Sequence, residues 1–181
     1  VPTIVHSEAG DLAFQEYFVQ QRCAPSVTGF KFQGAGAAKA GPEVFKVIEE
    51  ADLIIICPSN PWVSIDPILM IPGVRQLIRQ KPTVAVSPII GGKTVKGPAA
   101  KMYAELGIEP SSLAVAIHYR EITGGMVIDT VDENLADEIK ELGLQVLSTD
   151  SIMKDKGDRA RLAKEVMSFA LKMLQLEKQE K

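Results

Sequence analysis

"ADLIIICPSNPWVSIDPIL", residues 51–69, sets the fold class. The run "DLIIIC" at 52–57 is continuously apolar after its first residue rather than alternating, which fits a strand covered on both faces. Directly after it come three prolines, two serines and an asparagine, a rigid and polar segment where a simple turn would do. Four more short apolar runs stand out, several of them also continuous rather than alternating: "VTGFKF" (27–32), "TVAVS" (83–87), "GMVID" (125–129) and "LQVLS" (144–148). Helical patterns alternate with them. Pro42 suits the first turn of a helix over 43–50, and "GVRQLIRQ" (73–80) follows Pro72. "GPAAKMYAEL" (97–106) and "NLADEIKEL" (134–142) each stop at a glycine, Gly107 and Gly143. The last helix spans about 158–176, with Leu162, Val166, Phe169, Met173 and Leu176 as its apolar stripe. Strands alternating with helices predict an α/β, doubly wound, mostly parallel Rossmann-like sheet.

The start of the chain departs from that plan. A doubly wound domain begins with a strand and a tight phosphate-binding turn, whereas "VPTIVHSEAGDLAFQEYFVQQ" predicts a strand or loop and then an amphipathic helix over 11–20. Leu12, Phe14, Tyr17 and Phe18 fall mostly on one side of that helix. The sheet is therefore expected to lack its first strand and Gly-rich turn.

Bulk properties narrow the function. At 181 residues the chain reads as a single α/β domain, 1–181. It is 46% apolar and 24% charged, with a net charge of −3, which gives no basic footprint for duplex nucleic acid. No apolar run approaches the roughly 20 residues that span a bilayer. Cys23 and Cys57 make neither a disulfide framework nor a metal set. With no signal-peptide pattern at 1–10, the expected location is cytoplasmic and the expected partners are small molecules.

In open parallel sheets, ligands bind beyond the carboxyl ends of the strands. "PSNPWVS" (58–64) occupies such a place, offering Ser59, Asn60 and Ser64, although the same residues also suit an ordinary turn. Trp62 suits packing against the loop better than stacking on a ligand ring. "SPIIGGKTVKGPAAK" (87–101) again follows a strand. Gly91 and Gly92 free the backbone, Lys93, Lys96 and Lys101 bring charge, and Gly97-Pro98 opens a helix. Phosphate binding is the favoured reading; solvated lysines are the other. The spacing is not that of a Walker loop, and in "GAGAAKAG" (34–41) Lys39 stands where a dinucleotide turn needs a small residue. His6 and His118 read as core or edge histidines. Asp129, Asp132 and Asp150, at strand ends, suit helix capping better than magnesium binding.

"PSNPWVSIDPIL", "VAVSPIIGGKTVKGPAAKM", "GMVID" and "STDSIM", with "FQEYFV" upstream, resemble the 2-phospho-L-lactate transferase family of coenzyme F-420 biosynthesis, over essentially the whole chain. The resemblance implies transfer of a phospholactyl or phosphoenolpyruvyl group from a guanosine diphosphate-linked donor to the deazaflavin precursor Fo, with release of GMP and a requirement for magnesium. It implies that Ser59, Asn60, Ser64 and Gly97 bind the nucleotide end, that Lys96, Gly91 and Gly92 face the transferring phosphoryl group, and that Phe14 and Gln15 line the deazaflavin site. The family's N-terminal Gly-rich turn and its following acidic residues have no counterpart here. The general base and main magnesium ligand are expected there, so the 181 residues correspond to the C-terminal part of the family chain and are expected to be inactive alone. A homodimer is compatible with this reading. The rival is a non-catalytic nucleotide-sugar-binding regulator similar to the gluconeogenesis-factor proteins.

Overall fold

A computed structural model describes the backbone of residues 1–179 and the side-chain environment of residues 1–175. Four strands, β4 (Ile54–Ile56), β5 (Thr83–Val86), β8 (Gly125–Asp129) and β9 (Gln145–Thr149), pair in parallel in that order. Their continuous apolar runs are explained by cover on both faces. One face packs under α1 (Val44–Glu50), α3 (Val74–Arg79), α5 (Ser112–Tyr119) and α6 (Ala136–Glu141), around Ala85, Val115, Met126, Ile128 and Ile139. The other face receives Leu162, Val166, Ala170 and Met173 of α7 (Lys156–Gln179) against Val84, Val86 and Val127. Leu176, also expected in that stripe, lies outside the residues whose side chains are described.

Two expectations are corrected at the front of the chain. "VTGFKF" forms β3 (Val27–Phe32), but it does not join the parallel sheet. It pairs antiparallel with β1 (Thr3–Ser7), which also pairs antiparallel with β2 (Gly10–Ala13), giving a separate sheet of order β2-β1-β3. The predicted helix over 11–20 is shorter for the same reason: Asp11, Leu12 and Ala13 face His6, Val5 and Ile4 across a hairpin, which claims their backbone groups. Helical geometry begins only at Phe14 and becomes a π-helical turn at Glu16–Gln20, where Gln21 N–H bonds back to Glu16 O at 2.9 Å. His6 is an edge histidine, its Nδ1 2.5 Å from Asp11 Oδ1.

The antiparallel layer is fastened to α4 (Ala99–Glu105). Its core of Val5, Tyr17 and Val27 surrounds the fully buried Met102 of that helix. Glu105 accepts the Val27 N–H at 3.1 Å, and Lys101 donates to Pro25 O at 3.1 Å while pairing with Glu105. Lys101 is therefore a structural cation. "GAGAAKAG" forms no phosphate turn; Gly34 leads into one short 3-10 turn at Ala35–Ala37.

Close approach of α7 to the sheet depends on Gly125. A Cβ there would lie 2.4 Å from Met173 Sδ and 3.0 Å from Phe169 Cε1, both on the helix. Met173 is buried, so the helix or its side chains must shift. Gly125→Ala is expected to destabilise the fold by about 1–3 kcal/mol through overpacking. Equilibrium urea unfolding measures this, and an unchanged midpoint would show that Met173 finds another rotamer at no cost.

Candidate functional site

The carboxyl ends of β4, β5 and β9 open into a cleft of about 480 Å³. Four segments line it. The first follows β4: Pro58, Ser59, Asn60, Val63 and Ser64. Here the chain makes a second π-helical turn, Pro61–Ile65, in which the N–H of Asp66 reaches back to Pro61 O. Asn60 shapes this turn, since its Oδ1 accepts from Trp62 N at 3.0 Å and Val63 N at 3.4 Å, and its Nδ2 lies 3.2 Å from Met102 Sδ. The hydroxyls of Ser59 and Ser64 have no such employment among the described residues and are left to the cleft. Trp62 packs as expected, its ring 4.0 Å from that of Tyr103 and 5.9 Å from that of Phe30. His118 Nε2 meets Asp66 Oδ1 at 3.0 Å, both half-buried, and pins the turn to α5.

The second segment follows β5 and includes Ser87, Ile90, Thr94, Lys96 and Gly97. It is a hairpin. Ile89–Ile90 (β6) pairs with Lys93–Thr94 (β7) around Gly91 and Gly92, whose φ of +54° and +74° make the two-residue turn that side chains resist. Gly91 and Gly92 thus sit at the hairpin tip and are not among the residues lining the cleft. The Gly91 N–H is committed to Asp132 Oδ1 at 3.0 Å. Lys93 is exposed on β7, and only Lys96 of the three loop lysines lines the cleft.

The third segment, Ser151, Ile152 and Met153 with Arg159 of α7, overlaps "STDSIM" but was given no role by the sequence pattern. The fourth is the stacked pair Phe14 and Phe18, with ring centroids 5.5 Å apart. Of the pair proposed for a flat ring, Phe14 reaches the cleft, whereas Gln15 is exposed beside it and does not line it. Phe18, 43% exposed, is the aromatic that sequence reasoning left unassigned.

The end of β8 holds two of these walls in place. Asp129 Oδ2 accepts the Ser151 N–H at 2.8 Å and its hydroxyl at 2.9 Å, while Oδ1 accepts Val131 N–H at 3.0 Å. Asp132, one turn on, holds Gly91. Burial opposes the charge on Asp129, but the hydrogen bonds from Val131, Ser151 and Thr130 outweigh it and hold the carboxyl below its ordinary range. For Asp132, burial wins and pushes the carboxyl up, against the Gly91 N–H and with help from the neighbouring Asp129 charge. Its Oδ2 is buried near the Ser112 hydroxyl, but the two do not meet in good hydrogen-bond geometry. Asp150 accepts from Ile152 N–H at 3.1 Å. These aspartates serve the backbone. Among the described residues no group of three or more His, Cys, Asp or Glu is placed to hold a metal, and no carboxylate lines the cleft. These residues do not fit a magnesium ion.

Residues 1–167 match the model of the family described as 2-phospho-L-lactate transferase CofD. The chain belongs to this family. A 2-phospho-L-lactate transferase of Methanopyrus kandleri is 41% identical over 167 residues, covering 92% of this chain and 54% of the relative. A phosphoenolpyruvate transferase of Streptomyces griseus is 36% identical over 166 residues, covering 90% and 52%. The chain thus spans about half the length of the curated relatives it matches, and that half is the C-terminal part of the family chain. A Bacillus halodurans protein described as a member of the UPF0052 family shares the fold: one of its solved structures gives a TM-score of 0.59 at 17% identity, covering 92% of this chain and 58% of the other. Among the described residues no helix is long and apolar enough to cross a membrane.

Asp129 and Asp132 respond to acid in opposite senses. The lowered Asp129 contributes stability that is complete above the unfolded-state carboxyl range, about pH 4, and is lost as pH falls through its folded value. The raised Asp132 costs stability when ionised, and protonation relieves that cost. Asp129→Asn is expected to remove about 2 kcal/mol at pH 7, a deficit that shrinks below about pH 4. Asp132→Asn, which keeps an acceptor for Gly91, is expected to leave the pH 7 midpoint unchanged or raised. Urea titrations of both variants between neutral and acid pH test this; parallel pH profiles for the two would refute the assignment.

Proposed function

We propose that the protein transfers a phospholactyl group, or its phosphoenolpyruvyl analogue, from a guanosine diphosphate-linked donor to the deazaflavin precursor Fo, releasing GMP, in coenzyme F-420 biosynthesis. The observation that carries this reading is the make-up of the cleft. Among the described residues its lining holds two cations, Lys96 and Arg159, no carboxylate, the hydroxyls of Ser59 and Ser64, and a stacked aromatic pair. A cavity of one charge sign with free hydroxyls suits a phosphorylated ligand, and an aromatic pair at its edge suits a flat ring. Both belong to the two substrates named.

In this reading the terminal ribityl hydroxyl of Fo attacks the phosphorus nearer the three-carbon acid and gives up its proton, a new P–O bond forms, and GMP departs with the electron pair of the P–O bond that breaks. Phosphoryl transfer of this kind depends on positioning and on neutralising charge at the equatorial oxygens. Lys96 supplies that charge from a turn held by Thr94, whose hydroxyl donates to Gly97 O at 2.8 Å. Ser59 and Ser64 hold the nucleotide end on the π-helical turn that Asn60 caps, and Gly97 lets the backbone approach the diphosphate. Phe14 faces the deazaflavin, with Gln15 at its rim. The cleft lining offers neither a carboxylate nor a histidine as a general base, so the described residues contribute binding and charge stabilisation, and no step is routed through a metal.

Lys96→Ala in the full-length enzyme is expected to lower kcat by about tenfold or more, equivalent to at least about 1.4 kcal/mol of transition-state stabilisation, with the urea midpoint unchanged. GMP release under saturating substrates measures it, and normal turnover would remove Lys96 from the mechanism. The reading as a whole is tested by titrating GDP against a UDP-sugar. Selective binding of the UDP-sugar would replace the transferase with a nucleotide-sugar-binding regulator.

A further inference from the structure

The third wall of the cleft explains why it carries two cations. After β9, Ser151 is tied to Asp129 and the chain turns into α7. A helix start ordinarily offers amides to an anion, but this one is closed by its own carboxylates. Asp155 Oδ1 accepts the Asp158 N–H at 2.9 Å, and Asp158 Oδ2 accepts the Lys154 N–H at 2.9 Å. The wall presents a side chain instead. Arg159 lines the cleft, and among the described residues no carboxylate lies within ion-pairing distance of it.

Two residues further on, Arg161 has the opposite fate. Its guanidinium lies 3.7 Å from Asp150, 3.9 Å from Asp158 and 3.3 Å from Glu165. Acidic partners are thus plentiful at this helix start, and all of them are spent on Arg161 or on backbone amides. Arg159, exposed on the first turn of α7, has none of these partners among the described residues and lines the same cleft as the unpaired Lys96. Two positive charges sharing a cavity repel, and an anion bearing two charges converts that repulsion into attraction. A guanidinium fork matches a pair of phosphate oxygens, where an ammonium offers a single point of charge.

We propose that Arg159 is a phosphate-binding residue of this cleft, taking two oxygens of the ligand's diphosphate from a different segment than the one that supplies Lys96. The inference rests on the reading of the cleft as a site for a phosphorylated ligand and adds a residue that the sequence motifs leave without a role. Calorimetric titration of the full-length protein with GDP, guanosine and inorganic pyrophosphate tests it. Arg159→Gln is expected to weaken GDP and pyrophosphate about tenfold and to leave guanosine unchanged, with a shallower dependence on ionic strength. Arg159→Lys is expected to recover only part of the loss. Lys93→Gln, which removes one charge from the exposed hairpin, should stay within about twofold of wild type and separates contact from overall charge.

Equal GDP affinity in wild type and Arg159→Gln would overturn the inference while leaving the guanine-nucleotide reading intact. Arg159-dependent binding of pyrophosphate without binding of GDP would uphold the inference and overturn that reading. Failure of the wild type to bind any phosphate compound would overturn both. Should Arg159→Gln lower the urea midpoint, Arg159→Lys decides alone, and wild-type GDP affinity in that variant would overturn the assignment.

Discussion

The carboxylate of Asp129 is the fixed point of the cleft. It stands at the end of β8, the inner strand beside β9, and hydrogen bonds from two directions converge on it. One comes from the chain after β9, the other from the turn that follows β8 itself. A buried carboxylate stays charged only if its oxygens are satisfied, so the geometry of both segments is set by the needs of this one group. Asp132 extends the arrangement to the hairpin after β5. The parallel sheet places three loops at one end; the two aspartates fix two of those loops relative to each other.

Of the other two walls, the turn after β4 is pinned to α5 by His118 and Asp66, and the aromatic wall is secured differently again. The antiparallel layer has no strand in the parallel sheet, and it is held by packing around Met102 and by Lys101 and Glu105 of α4. Phe14 and Phe18 extend from that layer over the cleft. The aromatic edge therefore belongs to a layer joined to the sheet through α4 and through Trp62 of the turn after β4, while the cationic and hydroxyl-bearing walls grow from the sheet itself. A floor bearing cations and hydroxyls, with a separately mounted aromatic rim, is consistent with the reaction proposed above, in which a nucleotide-linked group is joined to a ring-bearing acceptor.

The four parallel strands were legible because burial on both faces writes itself as unbroken apolar runs, and the strand-end rule pointed to Ser59, Ser64 and Lys96 from pattern alone. Where pairing partners decide the outcome, the local pattern failed. The apolar spacing of residues 12–18 fits a helix, but a hairpin with β1 takes the first half of that stretch. α5 was missed because "LAVAIHY" is apolar around most of its circumference, which hides the helical period; Ser111, whose hydroxyl accepts the Ala114 N–H at 3.0 Å, was the available sign of its start. The Gly-Gly pair read as a phosphate cradle because glycine's freedom looks the same in a cradle and in a hairpin turn. Arg159 could not be found by motif at all, since it differs from Arg161 only in which way the helix turns it.

Two walls of the cleft contain a π-helical turn, at Glu16–Gln20 and at Pro61–Ile65. Such a turn holds one residue more than the α-helix that would otherwise occupy the same length, and it is commonly retained where a side chain must be aimed at a site. Losing a single residue from 61–65 would let the turn relax into ordinary helix while rotating the chain before it by about 100° relative to the chain after it. Ser64 and Asp66 would then no longer face the cleft and His118 together. The segment should therefore refuse any change of length, a constraint on how its sequence can drift that no single side chain reveals.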